Sequence, residues 1–266
     1  MLECVVNVSE GRDTTALRAI AGAAGAALVD LHADEHHNRA VLTLAGDGVE
    51  DAARAVATVT VAELDLRTHA GVHPRIGVLD VVPFVPLAGS EMAAAIAARD
   101  RFARWAGDTL RLPCFLYGPE RTLPEVRRGA FTTLAPDTGP PAPHPTAGGC
   151  AVGARDVLVA YNLWLATPDL TAAAALARSV RGPHVRALGL AVGDEVQVSL
   201  NLLSPGDVGP ADVYDAVAAT TEVARAELVG LVPRAVLDAV PRRRWAQLDL
   251  AEDRTIEARS ARVTGR

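Results

Sequence analysis

Two stretches of this chain run through the same order of hydrophobic patterns, and that repetition limits the fold more than any single motif. In the first, the β-rich run LECVVNV (2–8) is followed by a helical period over 14–26 and by strands over 27–32 and 38–46. A helix over 49–64 and the strand VLDVVPFVPL (78–87) complete it. In the second, a strand over 156–165 precedes a helix from Thr167-Pro168 to about Ser179. Strands over 185–192 and 195–203, a helix from Pro210 to about Ala226 and the strand ELVGLVP (227–233) follow. Alternating apolar positions mark the strands, and i, i+3, i+4 spacing marks the helices. Each set reads β-α-β-β-α-β, the split βαβ order of a ferredoxin-like domain. The order repeats without visible sequence identity. The predicted fold class is α+β, with two ferredoxin-like halves at 1–153 and 154–266.

Local signals refine the boundaries. Asp47 with Glu50 three residues on reads as an N-cap and capping box. Thr167 before Pro168 reads as a cap with proline at the first helical position. Gly193-Asp194 reads as the turn of a hairpin. Between the halves lie an Ala-rich helix (90–110) and the stretch PDTGPPAPHPTAGG (136–149), whose five prolines read, on composition alone, as an interdomain linker.

Composition bounds the function. Aromatics are only 4% of a chain that is half hydrophobic, so the core is expected to be built from Ala, Val and Leu with closely packed helices. The net charge is −6, and the densest basic cluster is the RRR at 242–244, which argues against a nucleic-acid partner. Cys4, Cys114 and Cys150 are far apart, which argues against a disulfide framework or a zinc ribbon and suits reduced thiols in a cytoplasmic protein. Neither a signal peptide nor a membrane span is expected.

Two polar clusters stand out. In RTHAGVHPR (67–75), His69 and His73 are four apart, but Gly71 and Pro74 disfavour a helix, so the window reads as a loop feeding a strand. His73 has Arg67, His69, Arg75 and Asp80 around it in sequence, groups able to tune a histidine near neutrality. The plainer alternative is a loop histidine bonded to backbone. DLHADEHHNR (30–39) holds three histidines and three acids; a metal is conceivable, but no HExxH-like spacing is present, and a solvated turn is the default. On the first strand, alternation puts Glu3, Val5, Asn7 and Ser9 on one face and Cys4, Val6 and Val8 on the other. On 195–203, Gln197, Ser199 and Asn201 form a polar face that either lines a cleft or meets water.

The segments ECVVNVSEGR, HHNRAVLTLAG, DLRTHAGVHPRIGVLDVVPFVPL, CFLYGPERTLPEVRRG, VGARDVLVAYNLWL, VQVSLNLL and AELVGLVPRAVLDA occur in this order from near residue 3 to about 240. Together they resemble the glutamate formimidoyltransferase (formiminotransferase) family over nearly the whole chain. The resemblance implies two α+β subdomains with a folate-accommodating cleft between them. It implies transfer of the formimino group from N-formimidoyl-L-glutamate to N5 of tetrahydrofolate, with His73 as general acid/base. Tetrahydrofolate is then the acceptor substrate, no metal is required, and the expected form is a cytoplasmic homodimer. Substrate and folate contacts are implied at Asn7, His37, Asn38, Arg39, Arg67 and Asp80. Others are implied at Gly139, Pro145, Thr146, Ala147 and Gly148, and at Gly182, Pro183 and His184. The second, cyclodeaminase domain of fused members is not expected here. Two departures matter: Val72 replaces the acid of the family's GEHPR, and His32 stands where fused members carry an acid. Asp30, Asp34 and Asp80 remain as acids to substitute. The departures leave open a related folate-dependent C1 transferase with another donor, or a folate binder with weak turnover.

Overall fold

β1 (Leu2–Val8) buries Cys4, Val6 and Val8 completely, as period-two alternation requires of a strand with one face in a core. The computed structural model describes residues 1–71, 74–87 and 89–264. It divides into two units, Met1–Arg155 and Asp156–Arg266.

In the first unit, β1 leads to α1 (Thr14–Ala23), β2 (Leu28–Asp34), β3 (Arg39–Ala45), α2 (Val49–Glu63) and β4 (Leu79–Pro86). α3 (Met92–Thr109), β5 (Cys114–Tyr117), α4 (Leu123–Gly129) and β6 (Cys150–Ala154) follow. The sheet order is β2-β3-β1-β4-β6-β5. Its first four strands are antiparallel in the ferredoxin-like order, and β6 and β5 extend the sheet in parallel. Ile20 of α1, Val56 of α2 and Phe102 of α3 share one core with Val6, Leu42, Leu44 and Phe84 of the sheet. The buried positions of α3 include Ala95, Ala98, Ala103, Ala106 and Gly107 around Phe102, small residues that let the helix lie close, together with the buried Arg99. On the opposite side of β4, Val81 joins Phe115, Tyr117, Ala151 and Val126 of α4 in a smaller cluster. That cluster sets α4 beside the start of β4.

In the second unit, β7 (Val159–Leu165), α5 (Leu170–Val180), β8 (Val185–Val192), β9 (Glu195–Leu202), α6 (Pro210–Ala218) and β10 (Val223–Val229) form an antiparallel sheet. Its order is β10-β7-β9-β8, the same arrangement. α7 (Arg234–Asp238) and α8 (Ile256–Thr264) follow. Tyr161, Leu163, Val198 and Leu200 pack there with Ala173, Ala177, Val213 and Val217. The mixed α+β class and the doubled ferredoxin-like pattern are present as expected. No described helix is long and apolar enough to cross a membrane.

Several boundaries differ from the sequence expectation. Asp47 does not cap α2: the cap is Gly48, without a side-chain bond, and Glu50 instead accepts from Arg101 Nε at 3.0 Å. Thr167-Pro168 precedes the true cap of α5, Asp169, whose carboxylate accepts from Ala172 N at 3.0 Å. α6 stops at Ala218, and β10 covers Val223–Val229 rather than 227–233. Pairing of Glu227 with Asn162 and Ala226 with Leu163 holds that segment extended, a tertiary demand that overrides helical periodicity. The proline-rich stretch is no free linker: Asp137 N donates to Cys114 O at 2.8 Å, and Thr138 Oγ1 donates to Ala103 O at 2.8 Å.

Phe84 is wholly buried and meets Phe102 at 5.9 Å between ring centroids. Phe84→Ala is expected to cost about 3–5 kcal/mol, read as a lower urea midpoint. Leu188→Ala, at a position 56% exposed, should stay within about 0.5 kcal/mol of the parent.

Candidate active site

Between α2 and β4 the described residues form no helix or strand, so most of their peptide groups need other partners. Side chains and neighbouring loops supply them. Arg75 Nη2 donates to His69 O at 3.1 Å and its Nη1 to Gly71 O at 2.9 Å. Ala70 O accepts from Asn38 Nδ2 at 2.9 Å and from Arg12 Nη1 at 3.1 Å. Past the next two residues, Arg127 Nη1 donates to Pro74 O at 2.7 Å. Asp80 Oδ1 accepts from Ile76 N at 2.7 Å. Ser9 Oγ donates to Gly77 O at 2.8 Å. The two residues in between, Val72 and the expected catalytic His73, lie outside the described residues.

Asn38 joins three segments. Its Oδ1 accepts from Gly11 N at 2.8 Å, its Nδ2 holds Ala70 O, and its own carbonyl accepts from His69 Nε2 at 3.0 Å. It is 6% exposed and has φ of +47°, a left-handed conformation that Asn tolerates better than most residues. A carbonyl only accepts, so the His69 ring carries its proton on Nε2. Its Nδ1 is buried without a partner among the described residues. Burial lowers the His69 pKa, with the Arg75 and Arg12 charges adding to it, and the bond to Asn38 opposes them. Neutral imidazole is the form these contacts favour.

One residue earlier, His37 Nδ1 lies 2.6 Å from Asp34 Oδ2, and His37 N donates to Asp34 Oδ1 at 2.9 Å. Burial by itself raises the Asp34 pKa. The His37 ring and backbone hydrogen bonds, with the His37 and Arg39 charges, outweigh it and hold the carboxyl well below its ordinary value.

The proline-rich stretch forms a strap along the same loop. Leu66 N donates to Thr146 O at 2.7 Å, Val78 N to Ala147 O at 3.0 Å, and Gly149 N to Ile76 O at 3.2 Å. His144 and Gly148 exchange backbone bonds, at 2.7 and 3.0 Å, and so close the turn that carries Pro145 and Thr146. Pro145 is exposed, whereas Ala147 and Gly148 are buried. Gly148 has φ of +72°, and a Cβ there would lie 2.4 Å from Ile76 O. Two stretches some seventy residues apart in sequence, both singled out by the family resemblance, are therefore stitched together.

The remaining expected site residues are distributed as follows. Asn7 projects from the sheet face opposite the α1–α3 core and donates weakly to Val5 O at 3.3 Å. Arg39 opens β3. Arg67 is exposed and pairs with Asp65, its Nε 2.9 Å from Oδ1. Asp80 is 1% exposed, with Arg127 Nη2 2.6 Å from Oδ2, so its carboxylate works inside the scaffold. Gly139 lies exposed at the start of the strap with φ of +82°. Gly182, Pro183 and His184 form the tight turn before β8 in the second unit, where His184 Nδ1 is 3.8 Å from Asp207. Sequence reasoning missed Arg12 and Arg127, whose role depends on contacts 58 and 53 residues away. Both did stand inside quoted family segments, Arg12 at the end of ECVVNVSEGR and Arg127 in CFLYGPERTLPEVRRG, the one signal the sequence offered. A cleft of about 370 Å³ opens beside this assembly, and Glu10, Asp13, Glu63, Asp65 and His69 are among its lining residues.

Two outcomes follow from this geometry. A Cβ at Gly77 would lie 2.2 Å from Gly149 O and 2.3 Å from Ala147 O. Gly77→Ala should cost about 1–3 kcal/mol and speed hydrogen exchange at the Val78 amide as the strap lifts. Because the folded-state pKa of Asp34 is depressed, its contribution to stability is present above the ordinary carboxyl value, about 3.9. It is lost as pH falls through the depressed folded value. Carboxyl ¹³C titration should place Asp34 below exposed aspartates, and His37→Ala should move it back up. An ordinary Asp34 value in the parent protein would refute this.

Comparison with known proteins fits the same picture. Residues 1–155 match the family described as "Formiminotransferase domain, N-terminal subdomain". Glutamate formimidoyltransferase of Streptococcus pyogenes serotype M1 is 34% identical over 77% of this chain and 78% of its own length. Glutamate formimidoyltransferase of Thermoplasma acidophilum is 32% identical over 89% of both chains. Formimidoyltransferase-cyclodeaminase of Gallus gallus is 34% identical over 90% of this chain but only 51% of its own length. The chain thus spans about half of such fused relatives and most of the shorter ones. With more than half its residues inside the family's domain, and with relatives over 30% identical along most of its length, this chain belongs to the formiminotransferase family.

Proposed function

We propose that this chain transfers the formimino group from N-formimidoyl-L-glutamate to N5 of tetrahydrofolate. The observation that carries the reading is the match along 89% of both chains to the Thermoplasma acidophilum protein named glutamate formimidoyltransferase. The chemistry needs two proton movements. N5 attacks the formimidoyl carbon and loses its proton. The tetrahedral intermediate then expels the glutamate nitrogen, which gains one. His73 serves both steps, for roughly 10²–10⁴-fold in rate. A protonated amidine carbon is already electrophilic, so the reaction needs neither a metal nor a covalent nucleophile. Among the described residues, no group of three or more His, Cys, Asp or Glu side chains is placed to hold a metal ion.

The reading gives the folate contacts to Gly139, to Pro145, Thr146, Ala147 and Gly148, and to Gly182, Pro183 and His184. Asn7, His37, Arg39 and Arg67 are the polar residues proposed to meet substrate. Asn38 and Asp80 act from behind, since their polar groups bind scaffold. The cleft lined by Glu10, Asp13, Glu63 and Asp65 is an unfavourable place for a dicarboxylate, because like charges repel. By the same resemblance, the working form is a cytoplasmic homodimer, which light scattering on the purified chain would test.

One observation favours a second reading, a related C1 transferase with another donor. Val72 lacks the family's carboxylate. Of the acids that might stand in, Asp34 is held by His37 and Asp80 by Arg127, which leaves Asp30.

The test is transfer from N-formimidoyl-L-glutamate to tetrahydrofolate, followed by absorbance of the 5,10-methenyl product after acid treatment. His73→Ala should lower kcat by about 10²–10⁴-fold, with tetrahydrofolate affinity nearly unchanged. An unchanged rate would remove His73 from its role. Parent protein that binds tetrahydrofolate yet transfers only from another formimino or formyl donor would establish the second reading.

A further inference from the structure

We propose that Arg127 is a positioning residue for this reaction, acting through the carbonyl of Pro74, the residue next to His73 in the chain; the inference rests on the transferase reading above. The chain of support begins at the α4 N-terminus, where Thr122 N donates to Glu125 Oε2 at 2.6 Å in a capping box. Val126, wholly buried against the opposite face of the sheet, anchors the helix. Arg127 is the next residue. Its Nη1 donates to Pro74 O at 2.7 Å, and its Nη2 meets Asp80 Oδ2 at 2.6 Å. The other Asp80 oxygen accepts from Ile76 N at 2.7 Å. One guanidinium and one carboxylate thus hold both a carbonyl and an amide of residues 74–76.

The geometry separates this role from general stabilisation. Pro74 is covalently joined to His73, so the position of its carbonyl restricts where the preceding residue can go. Asp80 is 1% exposed, and the side chain of Arg127 is 22% exposed. The planar fork reaches Pro74 O and Asp80 together, which the single ammonium of lysine does less well. On the other side of His73, the carbonyls of residues 69–71 are held by Arg75, Asn38 and Arg12. Release of the Pro74 side leaves that half intact. The expected consequence is misplacement of a catalytic group, not loss of the site.

The experiment compares parent, Arg127→Met, Arg127→Lys and the double variant Asp80→Asn/Arg127→Met as full chains in the formimino-transfer assay. The double variant removes the stranded buried carboxylate that could unfold the single one. Folded Arg127→Met or double variant should lose about 10²-fold in kcat, the scale of a 1 Å misplacement. KM for both substrates should stay within about threefold. Arg127→Lys should recover part of the loss. Amide exchange at Ile76, which needs no turnover, should speed up in Arg127→Met while the central β4 amides keep their parent rates. Parent-like kcat in a folded variant overturns the proposal. So does a loss carried by KM alone, or unchanged exchange at Ile76. Failure of the parent itself to transfer would count against the transferase reading, and is seen before any variant is compared.

Discussion

A loop without a backbone ladder leaves most of its peptide groups to be paired by other means, and the described residues between α2 and β4 are organised by that constraint. Its carbonyls and amides are paired by Arg12, Asn38, Arg75, Arg127, Asp80 and Ser9, and by the backbone of the 144–149 strap. Apart from Arg75, which lies in the segment itself, and the strap, these partners come from four separate parts of the first unit. Each is placed by an element that buries an apolar face: β1 through Val6 and Val8, β3 through Leu42, β4 through Phe84, α4 through Val126. The core therefore fixes the loop indirectly, by fixing the starting points of side chains that reach it.

Charge follows the same logic. Asp80 is nearly inaccessible, and burying a carboxylate is costly unless it is paired and hydrogen-bonded. Arg127 and the Ile76 amide meet that need while they hold chain. Asp34 does likewise with His37. His69 takes the opposite course: its surroundings favour neutral imidazole, and the one described hydrogen bond of its ring ties the loop to Asn38. Of the two histidines four apart in the loop, the described one is a structural tie.

Close backbone approach is the third requirement. Gly77 and Gly148 face each other and the carbonyls around them, with no space for a Cβ at either position. The strap can pass there because both positions are glycine. The prolines nearby shorten the list of conformations the strap could otherwise take. What reads as linker by composition is in place a clamp, since its carbonyls accept from the Leu66 and Val78 amides of the loop.

The doubled α+β order, the strand faces of β1 and the alanine-lined helix were legible in the sequence because period and side-chain size act locally. The family segments were legible because they are contiguous. Helix ends at Asp169 and Ala218 were not, since the better acceptor and the pairing of β10 with β7 decided them. Nor were the partners of Asn38 and Asp80, which bind Gly11 N, Ala70 O, Ile76 N and Arg127. Local pattern thus determined which elements form and in what order. Only the tertiary structure decided which polar groups face one another, because those contacts join residues far apart in the chain, and burial sets which of them must be paired.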